Sequence, residues 1–509
     1  MSPIELAILI NRHAAICEEM GAVLQQAAFS PNIKDRLDFS CALFDADGDL
    51  FAQAAHIPVH LGSMAYAMGN IVEGFDWQPG DVMVVNDPYL GGTHLPDVTI
   101  IIPCFVDGEL LGFVANRAHH ANIGSDSPGS MPLSRRLEDE GLVIPPALLY
   151  QAGEPVEETM AMVRELEGSD TFGDFAAQIS ASRIGLARLE QLIEATGVAA
   201  WRAGIDEINA YGRRLALARL REIPAGTWRF RDVLDDDGFG AERIAIEVAV
   251  TVGEAGVAVD FTGTSAQVEG NINCPLSVAA AAVFYCFRCL LPDETPPCAG
   301  TFSVIGISAP DGSLVNANRP AATAAGNVET SMRIVDAVLG ALHPALPDQI
   351  PAAAQGTMNN VAMGNHARQQ PWDYYETICG GTGAHAAGPG LSAVHAHMTN
   401  TLNTPVESLE MHYPLRVREY SIRRGSGGQG RHAGGDGVVR EVELLDDAEV
   451  TLLTERRVTP PWGLEGGESG APGRNLLDGE TLPAKCCIAV RAGQILRIET
   501  PGGGGYGAE

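Results

Sequence analysis

The sequence lacks two short motifs that would identify its chemistry at once. No GxxxxGK[ST] stretch occurs, which excludes a recognisable Walker-type ATP site in this chain. No GxSxG stretch occurs, which excludes the serine nucleophile elbow of the α/β-hydrolases. Any catalytic site must therefore be built from other residue patterns.

Long hydrophobic runs are also missing. The most apolar stretch, LSVAAAAVFYCFRCLLP, is too short to cross a bilayer and contains Arg288. The first twenty residues carry Glu5 within their apolar run and lack the basic start and cleavage site of a signal peptide, so they predict an amphipathic helix. We therefore expect a cytoplasmic protein with no membrane partner.

Positive charge and cysteine are both scarce. Lys and Arg total 33 against 64 Asp and Glu, and the resulting net charge of -31 would repel phosphate backbones, so nucleic acid is not an expected partner. Ten cysteines are scattered over the chain, and the single CxxC, Cys286 to Cys289, has no second CxxC to complete a zinc knuckle. These thiols are interpreted as reduced and mostly buried.

The 509 residues are too many for one hydrophobic core. Hydrophobic periodicity predicts an α+β, multi-domain protein with mixed sheets, helices and Gly-rich turns. We expect an N-terminal metal-site domain over residues 1–225, with a helical segment at about 174–223. An α/β middle domain would follow over 226–360, and a Gly-rich, β-containing C-terminal region over 361–509.

One Gly-rich stretch formally matches a cofactor motif. GSGGQG, Gly425 to Gly430, fits the dinucleotide pattern GxGxxG and follows a strand-like run. The dinucleotide interpretation needs a helix N-terminus next, but the sequence continues with RHAGGDG. The stretch therefore predicts a tight turn.

A hairpin is predicted within NDPYLGGTHLPDVTIIIPCFVDGELLGFVANRAHHANIGS, residues 86–125. Asp107-Gly108 is a strong two-residue turn signal between two apolar runs. The numbers of opposed residues then sum to 215, which places Asp97 opposite Ala118. A bulge at Pro103, which cannot donate to the ladder, would shift this register by one.

The hairpin brings chemistry-bearing residues together. It returns His119 and His120 to the level of Asp97. His94 lies in the short loop just before the hairpin. Two imidazoles and a carboxylate are typical ligands for Zn, Mn or Fe. The pattern therefore predicts a divalent metal bound by His94, Asp97 and His119, with His56 and His60 as further residues that could line the site.

At these residues the chain resembles the hydantoinase B/oxoprolinase family. This family comprises the B-type subunits of ATP-dependent hydantoinases, lactamases and 5-oxoprolinases, and ketone carboxylases have related subunits. The resemblance extends from about Ser30 to the C-terminus. It is carried by SPNIKDRLDFSCALFD, FAQAAHIPVHLGSM, VNDPYLGGTHLPDVTI, NRAHHANIGS, YYETICGGTGA, HMTNTLNTPVESLE, GSGGQGRHAGGDGVVRE and TPGGGGYG.

The resemblance implies a metal centre at the same three residues, His94, Asp97 and His119. It also implies an acidic ligand from NIKDRLDFS. There Asp35 stands where relatives usually have Glu and is the preferred ligand, while Asp38 is the alternative. The stretch HHAN departs from the family pattern, because Asn122 stands where relatives often have Asp. An amide cannot act as a base, which puts in doubt any proton-transfer role at that position.

His120 and Asp87 are the candidate catalytic residues. Neighbours on a strand point to opposite faces, so His120 should not share a metal ion with His119 through regular strand geometry. His120 would either exchange a proton with the substrate or serve in packing, and both interpretations stay open.

The resemblance further implies an A-type partner that binds ATP and Mg and activates the substrate by phosphorylation, in a hetero-oligomer. A planar amide is a poor electrophile. Phosphorylating its carbonyl oxygen would create a leaving group, and a metal would supply the nucleophile. We therefore expect the metal-containing subunit of an ATP-dependent hydrolase that opens a hydantoin, a lactam or 5-oxoproline. The alternatives are a ketone carboxylase subunit, and a non-catalytic chain that only stabilises the A-type partner.

Overall fold

A computed structural model describes residues 1–54, 56–164, 166, 169–367 and 371–508.

The first helix begins as its sequence predicts. The Ser2 hydroxyl accepts from the Glu5 amide, the Glu5 carboxylate accepts from the Ser2 amide, and Pro3 occupies the first helical position.

The described part of the chain contains ten α-helices. They are α1 Pro3–Ala27, α2 Pro31–Lys34, α3 Pro58–Val72, α4 Glu157–Arg164, α5 Ser169–Thr196, α6 Val198–Leu220, α7 Leu276–Arg288, α8 Ala299–Phe302, α9 Ser331–Leu342 and α10 Val406–His412. Short 3-10 turns lie at Pro88–Leu90, Pro128–Ser130 and Leu137–Glu140, and a π-helical turn lies at Gly326–Thr330.

Twenty strands accompany these helices in the same residues. They are β1 Phe39–Asp45, β2 Leu50–Gln53, β3 Val82–Val85, β4 Asp97–Val106, β5 Glu109–His119, β6 Ala147–Gln151, β7 Glu154–Pro155, β8 Gly226–Asp236, β9 Glu242–Gly253, β10 Gly256–Asp260, β11 Ile305–Ser308, β12 Asn360–Asn365, β13 Trp372–Glu376, β14 Leu415–Arg423, β15 Gly437–Leu444, β16 Ala448–Leu453, β17 Arg474–Leu477, β18 Glu480–Leu482, β19 Lys485–Val490 and β20 Ile495–Glu499.

The strands form four sheets. Their orders are β2-β1-β5-β4-β3-β6-β7, β11-β10-β9-β8, β13-β12-β16-β19 and β14-β15-β20-β17-β18. Strands β10 and β11 pair in parallel, whereas the neighbours in the first sheet are antiparallel. The chain therefore has the predicted α+β fold.

The largest hydrophobic core is shared by distant parts of the chain. It includes Ile57 near the N-terminus, Val250 and Val338 from the middle segment, and Leu453 near the C-terminus. Each sheet nevertheless draws its strands from one of the three predicted ranges, apart from Asn360, the first residue of β12, which falls at the end of the middle range. The division into three domains stays a prediction.

The hairpin of β4 and β5 turns at Asp107 and Gly108, both of which have positive φ, as a type I′ turn requires. The register shifts by one between Cys104 and Phe105, two residues after Pro103, where Leu111 of strand β5 has no partner. Beyond this bulge, Asp97 pairs with His119 rather than with Ala118. The register in which the numbers of opposed residues sum to 215 holds only near the turn. The predicted shift of one residue beyond a bulge is confirmed.

The Gly-rich stretches of the C-terminal region pack backbone against backbone. The Gly428 amide donates to the Gly503 carbonyl, and the Gly503 amide donates to Gly435. A Cβ atom at Gly503 would overlap the Thr382 carbonyl oxygen. GSGGQG therefore packs against the closing TPGGGGYG and no helix follows it before strand β15, which confirms the tight turn.

Among the described residues, no helix combines the length and the apolar character needed to cross a membrane.

Candidate metal centre

The hairpin places Asp97 and His119 side by side. Asp97 begins strand β4, His119 ends strand β5, and the two residues are directly paired. His119 Nδ1 lies 3.2 Å from Asp97 Oδ1, and His94 Nε2, from the preceding loop, lies 3.1 Å from the same oxygen. The ligand atoms of these three buried side chains all lie within 4.8 Å of one another.

The Asp97 carboxylate is held firmly. It is fully buried, and its Oδ2 accepts from the Thr93 hydroxyl at 2.6 Å and from the Asn327 amide at 3.3 Å. His60 Nε2 lies 3.2 Å from that same oxygen. The sequence predicted that His60 could line the site, and the structure brings it there.

His94 is oriented from behind by a backbone carbonyl. Its Nδ1 lies 3.1 Å from the Ala324 carbonyl oxygen, and a carbonyl only accepts, so Nδ1 carries the proton. Nε2 of a neutral His94 is then left with its lone pair, on the side that faces Asp97. This arrangement, in which the distal nitrogen is hydrogen-bonded, is the usual one for a metal-binding histidine.

Glu140 fixes the peptide that holds His94. Its buried carboxylate accepts from the amides of Thr323 and Ala324, both at 2.9 Å, and from the Ser134 hydroxyl at 2.8 Å. Burial raises the pKa of Glu140 to about 7, although these hydrogen bonds oppose the shift. Glu140 was not predicted from the sequence, because it stands in the acidic run LEDE, which is typical of an exposed turn.

His119 is positioned by an aromatic ring from a distant strand. It stacks on Tyr375 of strand β13, with ring centroids 4.9 Å apart and planes 11° apart. The Tyr375 hydroxyl donates to the Asn360 side chain at 2.7 Å, which fixes the ring. No local pattern around His119 indicated this contact.

The cluster combines a buried negative charge with imidazoles. Burial alone would raise the pKa of Asp97, but His94 and His60 outweigh it and hold that pKa well below its usual range. Burial also disfavours the charged form of His94, yet Asp97 outweighs it and raises the pKa. Burial lowers the pKa of His119, which favours its neutral form. An anionic carboxylate in this setting requires a nearby cation, either an imidazolium or a metal ion.

The residues fit a divalent metal ion. Nε2 of His94 and Nε2 of His119 are buried, and within the described part of the chain neither has a partner in hydrogen-bonding geometry, although His94 Nε2 lies 3.1 Å from Asp97 Oδ1. Buried nitrogens without a partner are unusual in proteins, and a neutral imidazole lone pair is a strong metal donor. Ligands about 2.1 Å from a tetrahedral ion lie roughly 3.4 Å apart, close to the 3.1 Å between His94 Nε2 and Asp97 Oδ1.

The two acidic candidates lie in different surroundings. Asp35 follows helix α2, is half-buried, and accepts from the Ser408 hydroxyl at 3.2 Å. Asp38 lines a cavity of about 20 Å³ together with Asp97 and His119. The structure therefore brings Asp38 to the cluster and leaves Asp35 elsewhere, so the alternative ligand fits the site better than the preferred one.

His120 points away from the cluster, as expected for the neighbour of His119. Its Nε2 lies 2.8 Å from Gln178 Oε1, and its ring lies against Phe175, with both partners on helix α5. Burial lowers its pKa. This environment favours the packing interpretation of His120 over contact with a substrate.

Asp87 also has structural partners. It accepts from the Tyr89 amide at 3.0 Å as the N-cap of the turn Pro88–Leu90, and it forms an ion pair with Arg319. These contacts hold the loop that leads to His94.

Solved structures share this fold over nearly the whole chain. The ATP-dependent caprolactamase from Pseudomonas jessenii superposes with a TM-score of 0.92 at 28% identity, covering 100% of this chain and 91% of that one. A nucleotide-free acetone carboxylase superposes with a TM-score of 0.89 at 19% identity, covering 99% and 76%, and this likeness concerns the fold alone. Residues 2–509 match the family model Hydantoinase B/oxoprolinase, and the chain belongs to this family.

Relatives of known sequence include proteins of similar length and longer ones. An uncharacterized protein of Methanocaldococcus jannaschii is 39% identical over 100% of this chain and 91% of its own length. 5-Oxoprolinase 1 of Arabidopsis thaliana is 38% identical, and this chain spans 42% of it. A putative B-type subunit of a D-/L-hydantoinase from a Pseudomonas strain is 31% identical over 100% of this chain and 90% of its own length.

Proposed function

We propose that this chain is the metal-containing subunit of an ATP-dependent cyclic-amide hydrolase, which opens a hydantoin, a lactam or 5-oxoproline. One observation carries the proposal: ligand atoms of the buried His94, Asp97 and His119 lie within 4.8 Å of one another, and Nε2 of each of these two histidines lacks a hydrogen-bond partner in the described residues. Family membership, the likeness to a caprolactamase and the similarity to a 5-oxoprolinase support this reaction class.

The ATP-dependent step belongs to an A-type partner in a cytoplasmic hetero-oligomer, with ATP and Mg on that partner. The absence of a Walker motif in this sequence and the similarity to a B-type hydantoinase subunit support this division. The plant relative is more than twice as long as this chain, which is consistent with both functions in one polypeptide there.

A bound Zn, Mn or Fe ion would supply Lewis acidity and a nucleophile at neutral pH. We assign its ligands to His94, Asp97, His119 and Asp38. Ala324 accepts the Nδ1 proton of His94 and so keeps Nε2 available. Thr93 and Asn327 orient the Asp97 carboxylate, and burial of the cluster excludes bulk water from the reacting amide.

Elemental analysis tests the metal. The purified chain is expected to hold one divalent ion, and His94→Ala should lose most of it while keeping the wild-type circular dichroism spectrum. The matched control is His412→Ala, which removes an exposed histidine of helix α10. A metal content unchanged by His94→Ala would refute the assignment.

Reconstitution tests the reaction. Mixed with its A-type partner, the chain should hydrolyse ATP only when a cyclic amide is added, and the ring-opened product should form with the released ADP. The chain alone should neither bind nor hydrolyse Mg-ATP. Micromolar ATP binding by the isolated chain would contradict the proposed division of labour.

A ketone carboxylase subunit is the second candidate, supported by the fold shared with acetone carboxylase. In that reaction the site would join an enolate to an activated carboxyl donor. Bicarbonate-dependent ATP hydrolysis with a ketone, and none with cyclic amides, would identify it.

A further inference from the structure

The small cavity at the metal cluster is lined by two chemically different sets of side chains. One set contains three of the proposed ligands, Asp38, Asp97 and His119. The other set offers only hydroxyl groups, and we call it the threonine row: Thr377, Thr399 and Thr401. The cavity volume of about 20 Å³ leaves room for roughly one water molecule. A single bound atom of that size therefore lies close to both sets.

The hydroxyls of the threonine row are hydrogen-bonded in series. Thr377 Oγ1 lies 2.8 Å from Thr401 Oγ1, and Thr399 Oγ1 lies 3.3 Å from the same Thr401 oxygen. Three hydroxyls carry three protons, and these two hydrogen bonds use two of them. In the part of the chain that the structure describes, no other acceptor takes the third proton. The row therefore has one donor left over at the edge of the cavity.

Arg36 polarises the row from behind. Its guanidinium is fully buried, and Nη2 donates to Thr377 Oγ1 at 3.2 Å, while Nη1 donates to the Tyr375 carbonyl at 3.1 Å. A guanidinium has no lone pair, so Thr377 is the acceptor of that bond. Hydrogen bonds in series strengthen one another, so Thr377 becomes a better donor to Thr401, and Thr401 to Thr399. In this order the surplus proton lies on Thr399.

The charges around the cavity also favour an anion once a metal is bound. The carboxylates of Asp38 and Asp97 balance a divalent ion, because histidines bind metals in their neutral form. Arg36 then adds one positive charge. Its Nη2 lies 3.6 Å from Asp38 Oδ2, which is its one ion pair within the described residues. The loaded site therefore carries one positive charge in excess, and a single small anion would neutralise it.

We propose that the threonine row, polarised by Arg36, donates a hydrogen bond from Thr399 to one water-sized anion held against the metal cluster. The inference rests on the proposed function, since in that reaction the anion is the oxygen that attacks the amide. Thr377, Thr399 and Thr401 are then positioning residues. They orient this oxygen and stabilise its negative charge in a site that is closed to bulk water, where a prearranged donor is most effective.

Fluoride binding tests the inference without turnover, because fluoride has about the size of a water molecule and only accepts hydrogen bonds. The chain is loaded with Co²⁺, whose visible absorption reports a change of ligand, and titrated with fluoride. Thr399→Val should weaken fluoride binding at least about tenfold, the scale of a hydrogen bond to a charged group. Thr399→Ser keeps the hydroxyl and should retain the wild-type affinity. Azide, which is three atoms long, should bind more weakly than fluoride to the wild-type chain.

A second variant tests the row at its other end. Thr377→Val disconnects the row from Arg36 and leaves Thr399 in place, so it should also weaken fluoride binding. The matched control is Thr251→Val, which removes one hydroxyl of an exposed threonine pair, Thr227 and Thr251, 2.9 Å apart. All of these variants should keep the wild-type Co²⁺ content and circular dichroism spectrum. No fluoride binding by the wild-type chain, or wild-type fluoride affinity in Thr399→Val or in Thr377→Val, would overturn the inference.

Turnover in the reconstituted complex separates this inference from the proposed function. Fluoride binding that depends on Thr399, in a complex that opens no cyclic amide, would keep the role of the threonine row and refute the function. Ring opening at the wild-type rate in Thr399→Val, with unchanged fluoride affinity, would keep the function and refute the role of the row.

Discussion

Asp35 and Asp38 are three residues apart, yet only Asp38 lies beside the proposed ligands. The short helix α2 ends at Lys34, just before Asp35, and the chain enters strand β1 at Phe39, just after Asp38. Strand β1 runs beside strand β5. The amide of His119 donates to the Asp38 carbonyl, so the two residues meet where the strands begin and end. Asp38 is thus held at the cluster by sheet pairing.

The first prediction distinguishes these two carboxylates. Asp38→Asn should lower the metal affinity at least tenfold, because an amide is a weaker donor and carries no charge. Asp35→Asn is the matched control and should keep the metal, since Asp35 contacts Ser408. Competition with a chelator of known affinity measures both. If Asp35→Asn lost the metal and Asp38→Asn kept it, Asp35 rather than Asp38 would be identified as the ligand.

The second prediction concerns Glu140, which acts through the peptide of Thr323 and Ala324. In Glu140→Gln the amides of Thr323 and Ala324 and the Ser134 hydroxyl, which share Oε1, would meet an uncharged amide oxygen, a weaker acceptor, and the Ala324 carbonyl would shift. The metal affinity should fall by about tenfold to a hundredfold, the usual effect of losing a group that orients a ligand. The Nδ1 proton resonance of His94 should also move, which a general loss of stability would not cause.

The neighbouring Glu138→Gln provides the control for Glu140, because Glu138 is exposed and forms an ion pair with Arg136. Wild-type metal affinity in Glu140→Gln would show that Ala324 is held by its chain neighbours alone.

At the scale of elements, glycines decide how the C-terminal strands and loops pack. The segments around residues 381–383, 427–435 and 502–505 exchange backbone hydrogen bonds at distances that leave no room for side chains. The region therefore depends on glycine for close approach rather than for turns alone.

The third prediction follows from this packing. Gly503→Ala should lower the free energy of unfolding by about 3 kcal/mol, because its methyl group would overlap the Thr382 carbonyl and force the backbone apart. Gly74→Ala is the control: a Cβ there would have no atom within 4 Å. Urea denaturation of both variants measures the difference. Equal free energies of unfolding would show that the Gly-rich segments accommodate one methyl group without loss of stability.

At the scale of the whole molecule, buried charges join distant segments. Arg456 donates to Asp232 of strand β8 at 2.9 Å and to Asp336 of helix α9 at 2.6 Å, and all three are buried. Nearby, Lys485 pairs with Glu455 at 2.6 Å. Removing one partner of such a network leaves an uncompensated buried charge, which is strongly destabilising.

Glu329, in the π-helical turn beside this network, gives the fourth prediction. Burial raises its pKa to about 8 from an ordinary value of 4.5, with Glu455 adding to the shift and hydrogen bonds from Thr357 and Met358 opposing it. Between these two pH values the folded chain holds a proton that the unfolded chain releases. The free energy of unfolding should therefore fall as pH rises through this window, by at most about 1.4 kcal/mol per pH unit.

Glu329→Gln mimics the protonated side chain and should remove this contribution. Urea midpoints of wild type and variant, compared from about pH 5 to about pH 8, should diverge, with the variant gaining relative stability as pH rises. Parallel curves would show that Glu329 ionises normally in the folded chain.

The sequence alone determined the local features of this protein. Asp107-Gly108 specified the hairpin turn, because few residue pairs adopt two successive positive φ angles. Pro103 drew attention to a bulge in this hairpin, and the register shifts close to it, between Cys104 and Phe105. With turn and strand lengths set, His119 had to return to the level of Asp97. The proposed ligand cluster was therefore predictable from nearby residues.

Only the tertiary structure decided what surrounds that cluster. Tyr375, Ala324 and Glu140 reach it from distant loops and strands, and their sequence neighbours gave no sign of it. Asp38, rather than Asp35, lies beside the cluster because the pairing of β1 with β5, not the spacing along the chain, sets which carboxylate lies there. Side-chain contacts between segments separated by a hundred residues or more depend on how the sheets and helices pack, and no local backbone rule encodes that packing.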